Sequence, residues 1–166
     1  MILYLVRHGI AEELDASSTK RDAERPLTAE GRRKTREVAR GLRALGVKPA
    51  RIGASPLVRA RRTAELLRDT LCPKRRIETC AFLARGPETA AVVRWLRSRK
   101  CASAMLVGHF PFLVETASEL LTRSRSVKMT LEKAAACCLS FEDAPRVGGA
   151  TLEWLVQPQH LRTRSR

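Results

Sequence analysis

Aromatic side chains are scarce in this chain: two Trp, one Tyr and four Phe make up 4% of its 166 residues. None is interleaved with the basic clusters, so the stacking platform on which single-stranded nucleic acid is held is missing. Long apolar runs are missing as well, since none approaches the roughly 18 residues that cross a bilayer. The first run, Ile2–Val6, is too short for the core of a secretory signal, and it lacks a basic segment before it and a cleavage site after it. No membrane association is expected, and the cytoplasm is the expected setting. Five cysteines (Cys72, Cys80, Cys101, Cys137 and Cys138) form no CxxC pair and have no histidine at ligand spacing. That argues against a disulfide framework or a zinc site and for a reducing compartment. A Walker-type glycine loop and an acidic Mg²⁺ cluster are also absent, so neither metal nor cofactor is expected. Carboxylates are in deficit: 17 Asp plus Glu against 32 Lys plus Arg leave a net charge of +15. Such a balance is the footprint of a nucleic-acid binder, and it serves an anionic substrate, an acidic protein partner or a merely solvated basic surface equally well. Without an aromatic platform, nucleic acid is not the expected partner.

What the chain does have is an alternation of short apolar runs and longer amphipathic stretches, on a length that suits one domain, residues 1–166. Met1–Val6 reads as a strand covered on both faces. Residues 10–27 read as a polar loop. Thr28 is an N-cap for a helix that buries Val38, Leu42 and Leu45 and stops at Gly46 and Pro49. Residues 50–55 read as a strand, after which Pro56 opens a helix with Ala60, Ala64, Leu67 and Leu71 on one stripe. "RIETC" is a weak strand, and Pro87 opens a helix through Arg99 with Ala91, Val92, Trp95 and Leu96 inward. "SAMLVGH" (103–109) is a second clear buried strand, followed by a helix from Pro111 to Leu121. "AAACCLSF" and "ATLEWLV" read as a closing hairpin. Residues 157–166 are expected to form a frayed basic tail. The alternation predicts an α/β fold: a three-layer α/β/α sandwich with a mostly parallel central sheet.

In such sheets, ligands collect at the carboxyl ends of the strands. Three features fall there together. Arg7-His8-Gly9 follows the first strand, Ser55-Pro56 the second, and Gly108-His109 the "AMLV" strand. His8 and His109 can act as nucleophile, acid or base near neutral pH. Arg7 and Arg59 carry planar forks of donors that match a phosphate. Gly9 is expected to turn the chain and bring its backbone N–H to a ligand, and residues 55–59 to offer a helix N-terminus to an anion. Two imidazoles and several guanidiniums around one anion point to phosphoryl transfer through a phosphohistidine intermediate.

The segments "VRHGIAE", "RPLTAEGRRKT", "ASPLVRARRTAE" and "LVGHFPFL" stand in an order that resembles the serial signatures of the histidine phosphatase superfamily. The short length and lack of insertions resemble its compact, SixA-like phosphohistidine phosphatase branch, with the phosphoglycerate mutases as larger relatives. The resemblance runs from Ile2 to about Trp154. It implies a phosphoglycerate mutase-like fold in which His8 is the nucleophile. Arg7 and Arg59 would clamp the phosphoryl oxygens, His109 would stabilise the transition state, and Arg25 would reach into the site as a third arginine. Ser55 and Thr28 are better explained as structural.

Many superfamily members supply a carboxylate acid after the third strand. Here that stretch, "CAFLARGPETAAVV", offers only Glu88, which reads as a helix-start residue favoured by the dipole. Glu12 and Glu13 fall in the loop beyond the first motif. An alkoxide leaves only with a proton donor, whereas imidazole, whose conjugate acid has a pKa of about 6.5, leaves far more easily. The missing acid therefore favours phosphohistidine on a protein as substrate, probed against two rivals: a small phosphomonoester, and polyanion binding with little activity. A monomer is expected.

Overall fold

A computed structural model describes residues 1–13, 21–84, 86 and 88–161. Strand β1 (Ile2–Arg7) lies inside a six-stranded sheet of order β3-β2-β4-β1-β5-β6, formed with β2 (Arg51–Ala54), β3 (Ile77–Thr79), β4 (Ser103–Gly108), β5 (Ala136–Ser140) and β6 (Thr151–Val156). The strands β3, β2, β4 and β1 run parallel, while β5 and β6 add the antiparallel hairpin expected at the end of the chain. Among the described residues the α-helices are α1 (Ala29–Ala44), α2 (Val58–Leu71), α3 (Thr89–Arg99), α4 (Phe112–Thr122) and α5 (Pro158–Leu161). Among the described residues no helix is long and apolar enough to cross a membrane.

The uninterrupted apolar character of β1 and β4 follows from their position, since both faces of the sheet are covered. On one face Leu3, Leu5 and Leu106 meet Val92, Trp95 and Leu96 of α3 and Leu113, Ala117 and Leu120 of α4. On the other, Val6, Ile52, Met105 and Val107 meet Val38, Ala39 and Leu42 of α1 and Ala60, Ala64 and Leu67 of α2. This is the three-layer α/β/α sandwich anticipated from the alternation. Thr28 caps α1 by accepting a hydrogen bond from the Gly31 N–H at 2.9 Å, an arrangement whose loss costs about 1 kcal/mol. All five cysteines are free thiols. Cys137 packs into the α3–α4 side of the core, while its neighbour Cys138 stands opposite Tyr4 and Trp154.

Four details differ from the sequence reading. Helix α2 starts at Val58 rather than Pro56, because residues 56 and 57 still turn the chain away from β2. Pro87 lies outside the described residues, and α3 starts at Thr89. Leu45 is 55% exposed, since α1 ends at Ala44 and the chain leaves the core through left-handed Gly46. The tail expected to fray from residue 157 is instead docked as far as Leu161. Leu161 is buried, and its carbonyl sits where any side chain at Gly41 would collide with it.

Sheet register positions the site. Arg7 is paired with Gly108 across β1 and β4, and Ala54 with Val107 across β2 and β4. The ladder continues one step further, with the His8 N–H donating to Gly108 O and the Ser55 N–H to Val107 O, each at 3.0 Å. Three strand ends are thereby level.

Candidate active site

At this edge the His8 and His109 rings face each other with centroids 5.2 Å apart and planes inclined by 55°. Both residues are buried. The Nδ1 of His8 lies 2.7 Å from the Gly9 carbonyl oxygen. A carbonyl only accepts, so Nδ1 carries the proton and Nε2 keeps its lone pair. Burial pushes the His8 pKa down to about 3, with the nearby His109, Arg59 and Arg7 acting in the same direction against the Gly9 hydrogen bond. His8 is therefore a neutral imidazole of fixed tautomer whose Nε2 keeps its lone pair.

His109 is set by Ser55, whose Oγ lies 2.8 Å from Nε2. The same oxygen accepts the Leu57 N–H at 3.3 Å, so its single hydrogen is free to point at His109. Burial, followed by Arg59, lowers the His109 pKa to about 4, keeping this ring neutral too. Neutral His109 with Nε2 as acceptor carries its hydrogen on Nδ1, and that buried atom has no partner among the described residues. The buried Nε of Arg7 is likewise unpartnered, while its Nη1 donates to Leu131 O at 2.8 Å. Unsatisfied buried donors are costly, and oxygens of a bound anion would satisfy both.

Arg59, in the first turn of α2, is buried and reaches Asp22, with Nη1 at 2.7 Å from the backbone oxygen and Nη2 at 3.1 Å from Oδ2. Arg25 meets the other carboxylate oxygen of Asp22 through Nη1 at 3.0 Å and the Glu12 carbonyl through Nε at 2.6 Å. The two guanidiniums are thus bridged by one carboxylate, and hydrogen bonding to Arg25 above all holds the Asp22 pKa below the usual carboxylate value. Two neutral histidines thus stand beside the guanidiniums of Arg7 and Arg59, with Arg25 joined to Arg59 through Asp22, a set of groups whose donors match an anion. The family model of the histidine phosphatase superfamily (branch 1) matches residues 3–84, the segment that carries Arg7, His8, Arg25 and Arg59.

The chain belongs to the histidine phosphatase superfamily.

Phosphohistidine phosphatase SixA of Escherichia coli is 28% identical to this histidine phosphatase over 165 residues, covering 98% of this chain and 97% of that one. An uncharacterized protein of Picosynechococcus is 37% identical over 138 residues, 81% of either chain. A structure of the protein histidine phosphatase SixA complexed with tungstate superimposes with a TM-score of 0.83 at 27% identity, covering 98% of this chain and 100% of that one. The compact SixA-like branch and the phosphoglycerate mutase-like fold are therefore shared with this chain, and its class of chemistry is that of a phosphatase.

Among the site residues of this histidine phosphatase, Gly9 acts differently from expectation. Its N–H donates to Thr63 Oγ1 at 2.9 Å and its carbonyl accepts from His8, so it orients the His8 ring and its N–H is taken by Thr63. Glycine is required there by close approach, because a Cβ would lie 2.5 Å from Thr35 Oγ1. Ser55, read as structural, also orients His109. Asp22 and Thr63 were missed. Thr63 sits one turn after Arg59 on α2, bonding its carbonyl at 2.7 Å, and that four-residue spacing is the signal that could have found it. Glu88 is exposed at the start of α3, and its side chain has no hydrogen bond or ion pair among the described residues.

Proposed function

We propose that this histidine phosphatase hydrolyses phosphohistidine carried on a protein, through a phospho-His8 intermediate and without a metal. One observation carries the reading: His8 is a neutral imidazole of fixed tautomer with the Nε2 lone pair retained, and neither Asp22 nor Glu88 is suited to protonate a leaving group. Asp22 is held ionised by Arg25, and Glu88 is exposed at a helix start.

In the first step His8 Nε2 attacks phosphorus in line on a phosphohistidine already protonated at its other ring nitrogen. The bond from phosphorus to the substrate nitrogen breaks, and the ring departs as neutral imidazole with no proton needed from the enzyme. In the second, water attacks phosphorus, the bond to His8 breaks, and inorganic phosphate leaves. Arg7, Arg59 and the Nδ1–H of His109 neutralise charge on the equatorial oxygens, the main protein contribution in phosphoryl transfer. Arg25 reaches the same oxygens by exchanging its contact with Asp22. An imidazole leaving group makes the missing acid tolerable, whereas an alkoxide does not. The net charge of +15 suits an acidic carrier protein, and the five free cysteines suit a reducing, cytoplasmic setting.

The test compares kcat/KM on a phosphohistidine protein with that on alkyl and aryl phosphates, in EDTA throughout. Brief incubation with labelled phosphodonor should leave an acid-labile, base-stable label that is absent from His8→Ala. Rapid cleavage of a sugar phosphate with no turnover of phosphohistidine on any carrier would overturn the substrate, and label persisting in His8→Ala would overturn the nucleophile.

A further inference from the structure

Phe110 is the one aromatic residue among the exposed large hydrophobics of the described chain, at 47% exposure. In a chain with so few aromatic residues, an uncovered phenyl ring stands out. It belongs to neither core cluster, so packing of the fold does not account for it. It directly follows His109, and its ring stands 5.1 Å from the guanidinium carbon of Arg7. Its attachment therefore comes from one phosphate-binding residue and its contact from another. Part of the ring lies against Arg7, and nearly half of the residue remains open.

We propose that Phe110 is the specificity-determining residue of the leaving group, its open face receiving a planar ring joined to phosphorus directly or through a single oxygen. The inference rests on the phosphatase reading of the same site. Arg7 and His109 hold the phosphoryl oxygens, and a leaving group begins one bond from that phosphorus. A flat imidazole or aryl ring leaving the phosphorus comes within reach of the phenyl face and gains an offset-stacked or edge-to-face contact. A flexible alkyl group presents no face and gains little. The cation–π contact with Arg7 fixes the phenyl plane in advance, so the ring is ordered before substrate arrives.

The experiment measures kcat/KM of wild type, Phe110→Leu and Phe110→Trp on phenyl phosphate, on glycerol phosphate and on a phosphohistidine peptide. Phe110→Leu is expected to lower the phenyl-to-glycerol ratio about three- to tenfold relative to wild type, and Phe110→Trp to restore it. On the peptide the same two variants should fall and recover in parallel. Using the ratio cancels the intrinsic difference between the leaving groups, and it separates recognition of a ring from any general effect on Arg7. An unchanged ratio, or equal losses on both esters, overturns the proposal. Absence of phosphohistidine turnover by the wild type would instead refute the substrate reading, leaving the ester ratio to judge Phe110.

Discussion

The imidazole of His8 is held by the carbonyl of the very next residue: its Nδ1 donates to Gly9 O at 2.7 Å. A contact between adjacent residues is fixed by local backbone geometry and needs no remote partner to settle the tautomer. The Gly9 N–H is tied in turn to Thr63 on α2, which locks the peptide that does the holding.

The first prediction concerns that ring. Long-range ¹H–¹⁵N spectra of the free protein should show His8 as a neutral, Nδ1-protonated imidazole from pH 7.5 down to 5. An ordinary histidine would be largely protonated by pH 5. A His8 titration midpoint near 6.5 would contradict the buried, uncharged imidazole.

Ser55→Ala removes the partner of His109 Nε2 while leaving the strand intact. The ring would no longer be held with its hydrogen on Nδ1. We expect kcat to fall about tenfold, equivalent to about 1.4 kcal/mol, with KM changed much less. Ser55→Thr should recover much of the loss by restoring a hydroxyl. Equal activity in wild type and Ser55→Ala would show that the Ser55–His109 contact does not orient the ring.

Asp22 occupies Arg25 and Arg59, the guanidiniums that the proposed function assigns to the phosphoryl group. Replacing its carboxylate by the neutral amide in Asp22→Asn should lower the inhibition constant of inorganic phosphate about three- to tenfold, since charge-assisted contacts are exchanged for weaker ones. High salt should narrow the gap, because Asp22 is largely exposed. Weaker phosphate binding in Asp22→Asn would mean that the carboxylate orders the arginines and does not compete.

Acid should destabilise the protein through its two buried imidazoles. Unfolded, both take up protons near 6.5; folded, they resist until about 3 for His8 and about 4 for His109. Between those limits the unfolded chain binds more protons. The stability they contribute is therefore complete above pH 6.5 and lost progressively as pH falls toward about 4 for His109 and about 3 for His8. Tm measured from pH 7 to 4 should drop, and a His8→Asn/His109→Asn double variant should show a shallower slope. An equally steep slope in that variant would place the acid sensitivity elsewhere.

The sheet ends were legible because strand termini in α/β folds follow from apolar runs alone. "LYLV" and "AMLV" announce β1 and β4, and whatever follows them must stand at one edge. Arg7, His8 and His109 were placed at that edge in this way. Asp22 was not, since it lies far from Arg59 in sequence and nothing in a polar loop reveals which cation it meets. Gly9 was placed correctly but its N–H was misdirected, because a donor's partner is a tertiary fact. Ser55 illustrates the same limit: it stands at the end of β2, and only the β2–β4 register carries it to His109. The docking of Leu161 on Gly41 was hidden too, since a short polar tail carries no periodicity.

The pairing of Arg7 with Gly108 makes the distance between the two histidines a gauge of how β1 and β4 are aligned. Slipping that alignment by one residue would turn every side chain of the slipped strand to the opposite face and separate His8 from His109. Misassembled protein would then be inert even where its secondary structure looked native. During refolding, recovered turnover would therefore count correctly registered molecules, a population that far-ultraviolet dichroism cannot distinguish from the rest.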